Sequence, residues 1–327
     1  MQSLSRFWQR WQGWLKIGGT AILLAYLLKT IPLAEMWQNL QQISPAALAG
    51  SFLIFALSNI LFAAAWAIAL NILRFDLSFL IVCKLFFQSL FINNFATFVG
   101  GDSLRVYQVS RSRQRIMDAT LSVFISRIVM LYAILLLAGV MIWGWADTVN
   151  WGKQSQNLGA GLTIFLLIAI PLLSFFNKRS VLQQVKKNKV PWMTLLTTKL
   201  SEIHQKLHGH AYALLLVLLV SILAQLTSAW AVWVLAKAID IPINWTQLLL
   251  CLSIVGIALI LPISFNGIGI REVGLVGLLT SINIDGSQAL ALSLSTSLLV
   301  IITSLIGGIF LLADFIQTQR NIENPSN

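Results

Sequence analysis

Charge is what this sequence has least of. Of its 327 residues only 10% are Asp, Glu, Lys or Arg, against about a quarter in ordinary soluble domains. So little charge cannot cover a surface in water. With 57% of residues hydrophobic, the chain reads as a polytopic membrane protein. Acidic residues are the scarcest: 11 Asp and Glu stand against 22 Lys and Arg. That scarcity leaves little for hydrolase chemistry, and no nucleophile–base pair or two-carboxylate constellation stands out. The basic excess does not point to nucleic acid, because in a membrane protein it sets orientation and meets anionic lipid. The two cysteines, Cys83 and Cys251, lie inside apolar runs. They read as small core residues rather than a disulfide, and the redox compartment stays open.

What is abundant is apolar sequence in long runs. At about 1.5 Å per residue against roughly 30 Å of hydrocarbon, six runs are long enough to cross: 17–33, 46–70, 120–145, 158–176, 211–236 and 289–315. Tryptophans 37, 143, 145, 151, 233 and 245 fall near their ends, as an aromatic belt requires. Leu4, Trp8, Trp11 and Leu15 recur at helical spacing with Arg6, Arg10 and Lys16 between them. That pattern predicts an interfacial amphipathic helix leading into the first span. No small-residue cleavage site follows it, so it does not read as a removed signal peptide. Residues 178–210 carry Met193, Leu196, Leu200, Ile203 and Leu207 on one face and lysines on the other, a basic amphipathic loop for the anionic inner leaflet. His204 and His208 within it lack a third ligand at convincing spacing and read as surface residues.

Two further runs, 79–95 and 245–261, are 17 residues each, about 25 Å as helix. Each ends in a helix-breaking stretch, 96–101 and 262–267, followed by an arginine and a shorter helical piece. These predict re-entrant helical hairpins over 79–116 and 245–283. Lysine and arginine concentrate at 105–115 and 178–206, whereas the connections 34–45, 146–157 and 237–244 hold only Lys153 and Lys237. The basic side is cytoplasmic, which puts both termini inside and the protein in the cytoplasmic (inner) membrane. Three spans separate the hairpins, so the second enters from the opposite face. Ala96 and Pro262, Gly101 and Gly267, and Arg105 and Arg271 each stand 166 positions apart. The expected fold is therefore one all-α integral membrane domain over 1–327, with six transmembrane helices and two re-entrant hairpins. Its two halves, 17–157 and 158–316, form an inverted-topology repeat.

Irregular backbone at membrane depth survives only where protein or a water-filled cavity satisfies it. Two breaks entering from opposite faces predict a substrate site near the midplane. The second helix of each hairpin, starting at Asp102 and Ile268, offers an N-terminus suited to an anion, with Asp102 or Ser103 as a cap for the first. Arg105 and Arg271 add fixed positive charge suited to phosphate. The expected head-group site comprises Gly100, Gly101, Asp102, Arg105, Arg127, Ser264, Asn266, Gly267, Gly269, Arg271 and Glu272. An unpaired charge inside a membrane costs at least about 3 kcal/mol. Arg127 is therefore expected to pair with Asp102 or Glu272, those carboxylates to orient arginines rather than carry a coupling proton, and Lys84 to snorkel to the cytoplasmic interface. Gly267-Ile268-Gly269 follows no strand and lacks a third glycine, so it is no dinucleotide loop. No metal or cofactor is expected.

At these residues the chain resembles the lysylphosphatidylglycerol synthase transmembrane-region family, also described as flippase-like. "FVGGDSLRVY" is similar to its first signature at Gly100, Gly101, Asp102 and Arg105. "LPISFNGIGIREVGL" is similar to its second at Pro262, Ser264, Gly267, Gly269, Arg271 and Glu272. Ala96 stands where the family commonly has proline, and Ser126 precedes Arg127 where an acidic residue is frequent. The resemblance implies a membrane part that moves lipid between leaflets, without the aminoacyl-transfer domain of multidomain members. A phosphate-bearing membrane lipid is the implied ligand, and a separate lipid-modifying enzyme a possible partner. The alternatives are a membrane enzyme or accessory subunit acting on polyprenyl-phosphate or glycolipid, and a scaffold for a partner synthase.

Overall fold

The computed structural model of the chain describes residues 31–95, 100–111, 115–145, 209–259 and 269–323, with helical positions between 157 and 164. In order the elements are α1 (Leu33–Gln41), α2 (Pro45–Ile72), α3 (Phe79–Phe95), α4 (Gly100–Arg111), α5 (Ile116–Trp145), α6 (Ala211–Ala238), α7 (Trp245–Ala258), α8 (Ile270–Ser281) and α9 (Gly286–Glu323). No strand occurs among the described residues. Helices α2, α5, α6 and α9 are long and apolar enough to cross a membrane. They coincide with four of the expected spans. Helix α3 keeps its expected bounds, and α7 ends three residues early, at Ala258. The amphipathic segment 1–16, nearly all of the run 17–33, most of the run 158–176, the hairpin breaks apart from Gly100 and Gly101, and the basic loop as far as residue 208, with His204 and His208, lie outside the described residues.

Local chemistry starts the helices. Ser44 accepts a hydrogen bond from the backbone N–H of Ala47 ahead of Pro45 at the first helical position, the preferred opening of a helix. Gln247 reaches back to the N–H of Asn244 to open α7. Asp285 opens α9, accepting from the N–H groups of Ser287 at 2.8 Å and Gln288 at 3.3 Å and from the Ser287 hydroxyl. The hydroxyl above all, then the backbone donors, lowers the Asp285 pKa. Asp285→Ala is expected to lower stability by about 1 kcal/mol, read as a shift in thermal midpoint in detergent. Because the folded pKa is the depressed one, this contribution is full above the unfolded carboxyl's value of about 3.9. It is lost as pH falls through the lower folded value, so the wild-type and variant midpoints should converge below that point.

The long helices leave Leu53, Leu57, Leu215, Leu219, Leu223, Trp230, Ile309 and Leu312 exposed, an apolar surface that only lipid or another apolar partner covers. Inside, the most extensive packing joins α2 to α6. Ala65 and Ile72, near the end of α2, cluster with Ala213 and Val217, near the start of α6. Leu48, Phe52 and Phe55, near the start of α2, pack against the cluster holding Val232, Leu235 and Ala236, near the end of α6. The two helices therefore run antiparallel.

Helices α3 and α4 fold back on one another as a hairpin. Gly101 N–H donates to Asn93 Oδ1 at 2.9 Å, Arg105 Nε to Ser89 Oγ at 2.6 Å and Gln108 Nε2 to Gln88 Oε1 at 3.0 Å. As α4 advances, its partners recede along α3. Gly101 is required there, because a Cβ would lie 2.1 Å from the Ser89 carbonyl oxygen. Helices α7 and α8 pair likewise, with Gly274 set against Val255.

The contacts repeat. Exchange α2 with α6, α3 with α7, α4 with α8 and α5 with α9, and each packing pair among these helices becomes another that is present. Thus α3 on α9 matches α7 on α5, α4 on α5 matches α8 on α9, and α2 on α5 matches α6 on α9. Helices α2 and α6 are both 28 residues long and start 166 positions apart, as do α3 and α7. After the break the register changes. Helices α4 and α8 are both 12 residues long but start 170 positions apart, as do α5 and α9. The second break is thus longer, and the equivalence of Arg105 with Arg271 drawn from sequence is corrected. Arg105 matches Leu275, and Asp102 matches Glu272.

Candidate functional site

A cavity of about 330 Å³ lies where α2 and α5 meet α6, α7, α8 and α9. Most of its wall is apolar, including Phe55, Phe62, Ile134, Leu249 and Val300. Two guanidinium-bearing residues reach it, Arg127 from α5 and Arg271 from α8, and Gln225, Ser228, Ser253 and Thr296 add polar atoms. Its size falls within the usual range for small-molecule sites, and its composition is the usual one: apolar walls with a few placed polar groups.

Arg127 is held by Asp102, with Nε to Oδ2 and Nη2 to Oδ1 both at 3.1 Å. This fork-on-fork geometry fixes the guanidinium plane. Asp102 was one of its two expected partners. The carboxylate is not a helix cap: α4 begins two residues earlier, at Gly100, and Asn93 takes the Gly101 N–H. Asp102 instead bridges, with Arg105 Nη2 3.9 Å from Oδ1.

Arg271 sits one residue into α8. Gly269, at φ +88°, begins the turn, a conformation glycine adopts without steric cost. Glu272, 1% exposed, accepts from the Gly269 N–H at 2.5 Å and from Ser297 Oγ at 2.7 Å. The same Ser297 oxygen accepts from Arg271 Nη1 at 3.1 Å. No carboxylate of the described residues lies within ion-pair distance of Arg271. Ser297 thus ties both charges of α8 to α9. A hydroxyl in an apolar run gives little sequence signal, and Ser297 was not among the expected site residues. The register shift is what could have found it: Asp102–Arg127 and Glu272–Ser297 span the same 25 positions.

Arg105 corrects an expectation. It is not among the residues lining this cavity and is 3% exposed. Its guanidinium lies 4.4 Å from the Phe86 ring centroid and 5.1 Å from that of Trp66, with Nε on Ser89. Cation–π contact and the nearby Asp102 compensate a charge removed from water. The structure brings Arg127 and Arg271 together at the cavity, whereas sequence reasoning had paired Arg105 with Arg271. Lys84 is partly exposed. It pairs with Asp314 on α9, which also accepts from Gln88 Nε2 at 2.7 Å. Gly100 starts α4 and Gly269 precedes α8, whereas Ser264, Asn266 and Gly267 lie outside the described residues. Cys83 and Cys251 are free.

Long apolar helices, short hairpins packed among them and a cavity with arginines in its wall define a multi-pass helical membrane protein. The chain belongs to the lysylphosphatidylglycerol synthase transmembrane-region family, whose model matches residues 13–308. No curated protein matches it.

Proposed function

We propose that this protein moves an anionic, phosphate-bearing lipid between the leaflets of the cytoplasmic membrane and is a transporter rather than an enzyme. The carrying observation is the cavity itself. Arg127 and Arg271 share a largely apolar wall, and Arg271 has a neutral hydroxyl as its hydrogen-bond partner. Such a chamber suits a phosphate head group, while the acyl chains stay in the bilayer. On this reading α3–α4 and α7–α8 are re-entrant hairpins, six helices span, both termini are cytoplasmic, and the halves form an inverted repeat that rocks to give alternating access. The antiparallel α2–α6 pair and the exchangeable contact set support the repeat. Membership of a family associated with lipid handling supports the ligand class. A separate lipid-modifying enzyme is the natural partner, to be sought by co-purification.

The test is reconstitution into vesicles carrying a trace of head-group-labelled anionic phospholipid. Wild type should speed loss of signal to a membrane-impermeant quencher. Arg271→Ala should slow that movement by about ten- to a hundredfold, the worth of a hydrogen bond to a charged group, while eluting as wild type on size exclusion. Wild type, variant and protein-free vesicles behaving alike would overturn the reading.

A further inference from the structure

The two hairpins dock on different helices, α3 on α9 and α7 on α5, and the two junctions are not alike. Polar groups close one end of the first. Lys84 Nζ and Gln88 Nε2 both donate to Asp314, the amide at 2.7 Å, and Gln108 Nε2 on α4 donates to Gln88 Oε1 at 3.0 Å. One carboxylate thus ties α9 to α3 directly and to α4 through Gln88. From Asp314 the same face of α9 runs back through Gly308, Gly307 and Ser304 to Val300 at helical spacing. Along it Gly307 meets the Phe87 carbonyl and Gly308 the Phe91 ring. At its far end Asn94 Nδ2 reaches the Val300 carbonyl only at 3.4 Å, beyond the usual range of a hydrogen bond. Close packing of this kind has no hydrophobic drive behind it in lipid, so the charged end carries weight. The second junction has no counterpart. By the register of the repeat, Leu250, Ile254 and Gly144 stand where the first half has Lys84, Gln88 and Asp314, and Leu137 and Ala138 where it has Gly307 and Gly308. Leu137 packs with Ala229 and Leu249, and those two residues line the cavity. The difference between the junctions is therefore written into the sequence.

We propose that Lys84 and Asp314, supported by Gln88, form a releasable latch that holds α3 on α9 and sets the resting state of the molecule, with the chamber kept at the other junction. Exposure is what makes the pair releasable. The side chains of Lys84 and Asp314 are each 37% exposed, so each charge regains water when they part. A fully buried pair would leave both charges uncompensated on separation. Gln88, 0% exposed, holds the carboxylate in place from the buried side. Release of Asp314 frees α3 to part from α9. The use assigned to that parting, opening the molecule on this side, rests on the transport reading, whereas the latch itself is a property of the junction and has its own readout.

Ser304, one turn before Gly308 on the face towards α3, is 1% exposed. Ser304→Cys in a Cys83→Ser/Cys251→Ala background gives a thiol that a small maleimide reaches only when the junction parts. Labelling of the protein in vesicles should quicken about fivefold on adding Asp314→Asn, the upper end for an ion pair this exposed. The exchange Lys84→Asp/Asp314→Lys should bring the rate back towards that of the parent. A rate that Asp314→Asn leaves unchanged, or that the exchange leaves raised, overturns the latch. A second protein, Lys84→Cys/Asp314→Cys in the same background without the Ser304 change, is bridged by a short bifunctional methanethiosulfonate. Bridging should slow movement of labelled anionic phospholipid at least tenfold, and reductant should restore it. Bridged protein that moves lipid as fast as unbridged protein shows that the junction need not part and overturns the assigned use. If neither wild type nor the unbridged variant moves lipid while labelling still responds to Asp314→Asn and its exchange, the transport reading fails and the latch stands.

Discussion

Gly307→Ala is expected to destabilise the protein by about 3 kcal/mol, the upper range for overpacking, and Gly307→Val to yield no folded material. A Cβ at Gly307 on α9 would lie 1.9 Å from the carbonyl oxygen of Phe87 on α3 and 2.3 Å from its carbonyl carbon. Both are backbone atoms, so no side-chain rotation makes room, and the whole of α3 would have to move. Helix α3 is fixed along its length against α9. Gly308 faces the Phe91 ring, Asn94 Nδ2 donates to the Val300 carbonyl at 3.4 Å, and Lys84 and Gln88 both engage Asp314. Close backbone approach over small residues is how helices gain packing energy where lipid offers no hydrophobic drive. Gly277→Ala supplies the contrast. It lies exposed on α8, where an added Cβ meets nothing within 4 Å, so alanine should be neutral or stabilising by up to about 1 kcal/mol. Thermal unfolding in detergent, followed by tryptophan fluorescence, decides it. Equal midpoints for Gly307→Ala and Gly277→Ala would show that α3 and α9 are not in this contact.

The same contact exposes an asymmetry between the halves. Under the exchange of helices, α3 on α9 corresponds to α7 on α5. The first junction is closed by Gly307 and Gly308. In the second, Gly256 faces Ile134 at an ordinary 3.6 Å, and both line the cavity. A molecule with matched halves thus has one junction shut and the other holding a chamber. On the transport reading, the opposite state would shut α5 on α7 and part α3 from α9, which requires Lys84 to leave Asp314.

Much of this was legible in sequence because the signals were of the kinds that lipid and backbone impose. Run length gave α2, α5, α6 and α9, and the glycine-rich break after Phe95 gave the α3–α4 hairpin. The signature Gly-Gly-Asp with its arginine drew attention to Asp102, and the neighbourhood of Arg127 followed from the cost of an unpaired charge. What failed was register across a break. An identity at 166 positions tied Arg105 to Arg271, yet four extra residues before α8 put Leu275 in the place of Arg105. A single matched arginine carries too little information to exclude a gap. The clamp of Trp66 and Phe86 around Arg105 was equally invisible, since aromatics are common throughout the chain and their facing depends on helix packing.

Asp102→Asn is expected to cost about 3 kcal/mol, and the second substitution Arg127→Gln to restore part of that loss. The carboxylate serves two guanidiniums: Arg127, gripped at 3.1 Å through both oxygens, and Arg105, 3.9 Å away and 3% exposed. Asparagine keeps the shape and removes the charge, leaving two cations a short distance apart, Arg105 buried and Arg127 about a third exposed. Removing one partner of a buried pair is far more damaging than removing both, because the survivor stays desolvated and uncompensated. Arg127→Gln alone should be milder, since Asp102 then answers to Arg105 undivided. In the double variant Arg105 remains, supported by Ser89 and the two rings, and the repulsion from Arg127 is gone. The order of thermal midpoints should therefore be wild type, then Arg127→Gln, then the double variant, with Asp102→Asn lowest. Strict additivity of the two single effects, in place of a coupling energy above about 1 kcal/mol, would mean that the pair does no joint work. Asp102 would then be dispensable to the arginine that borders the cavity.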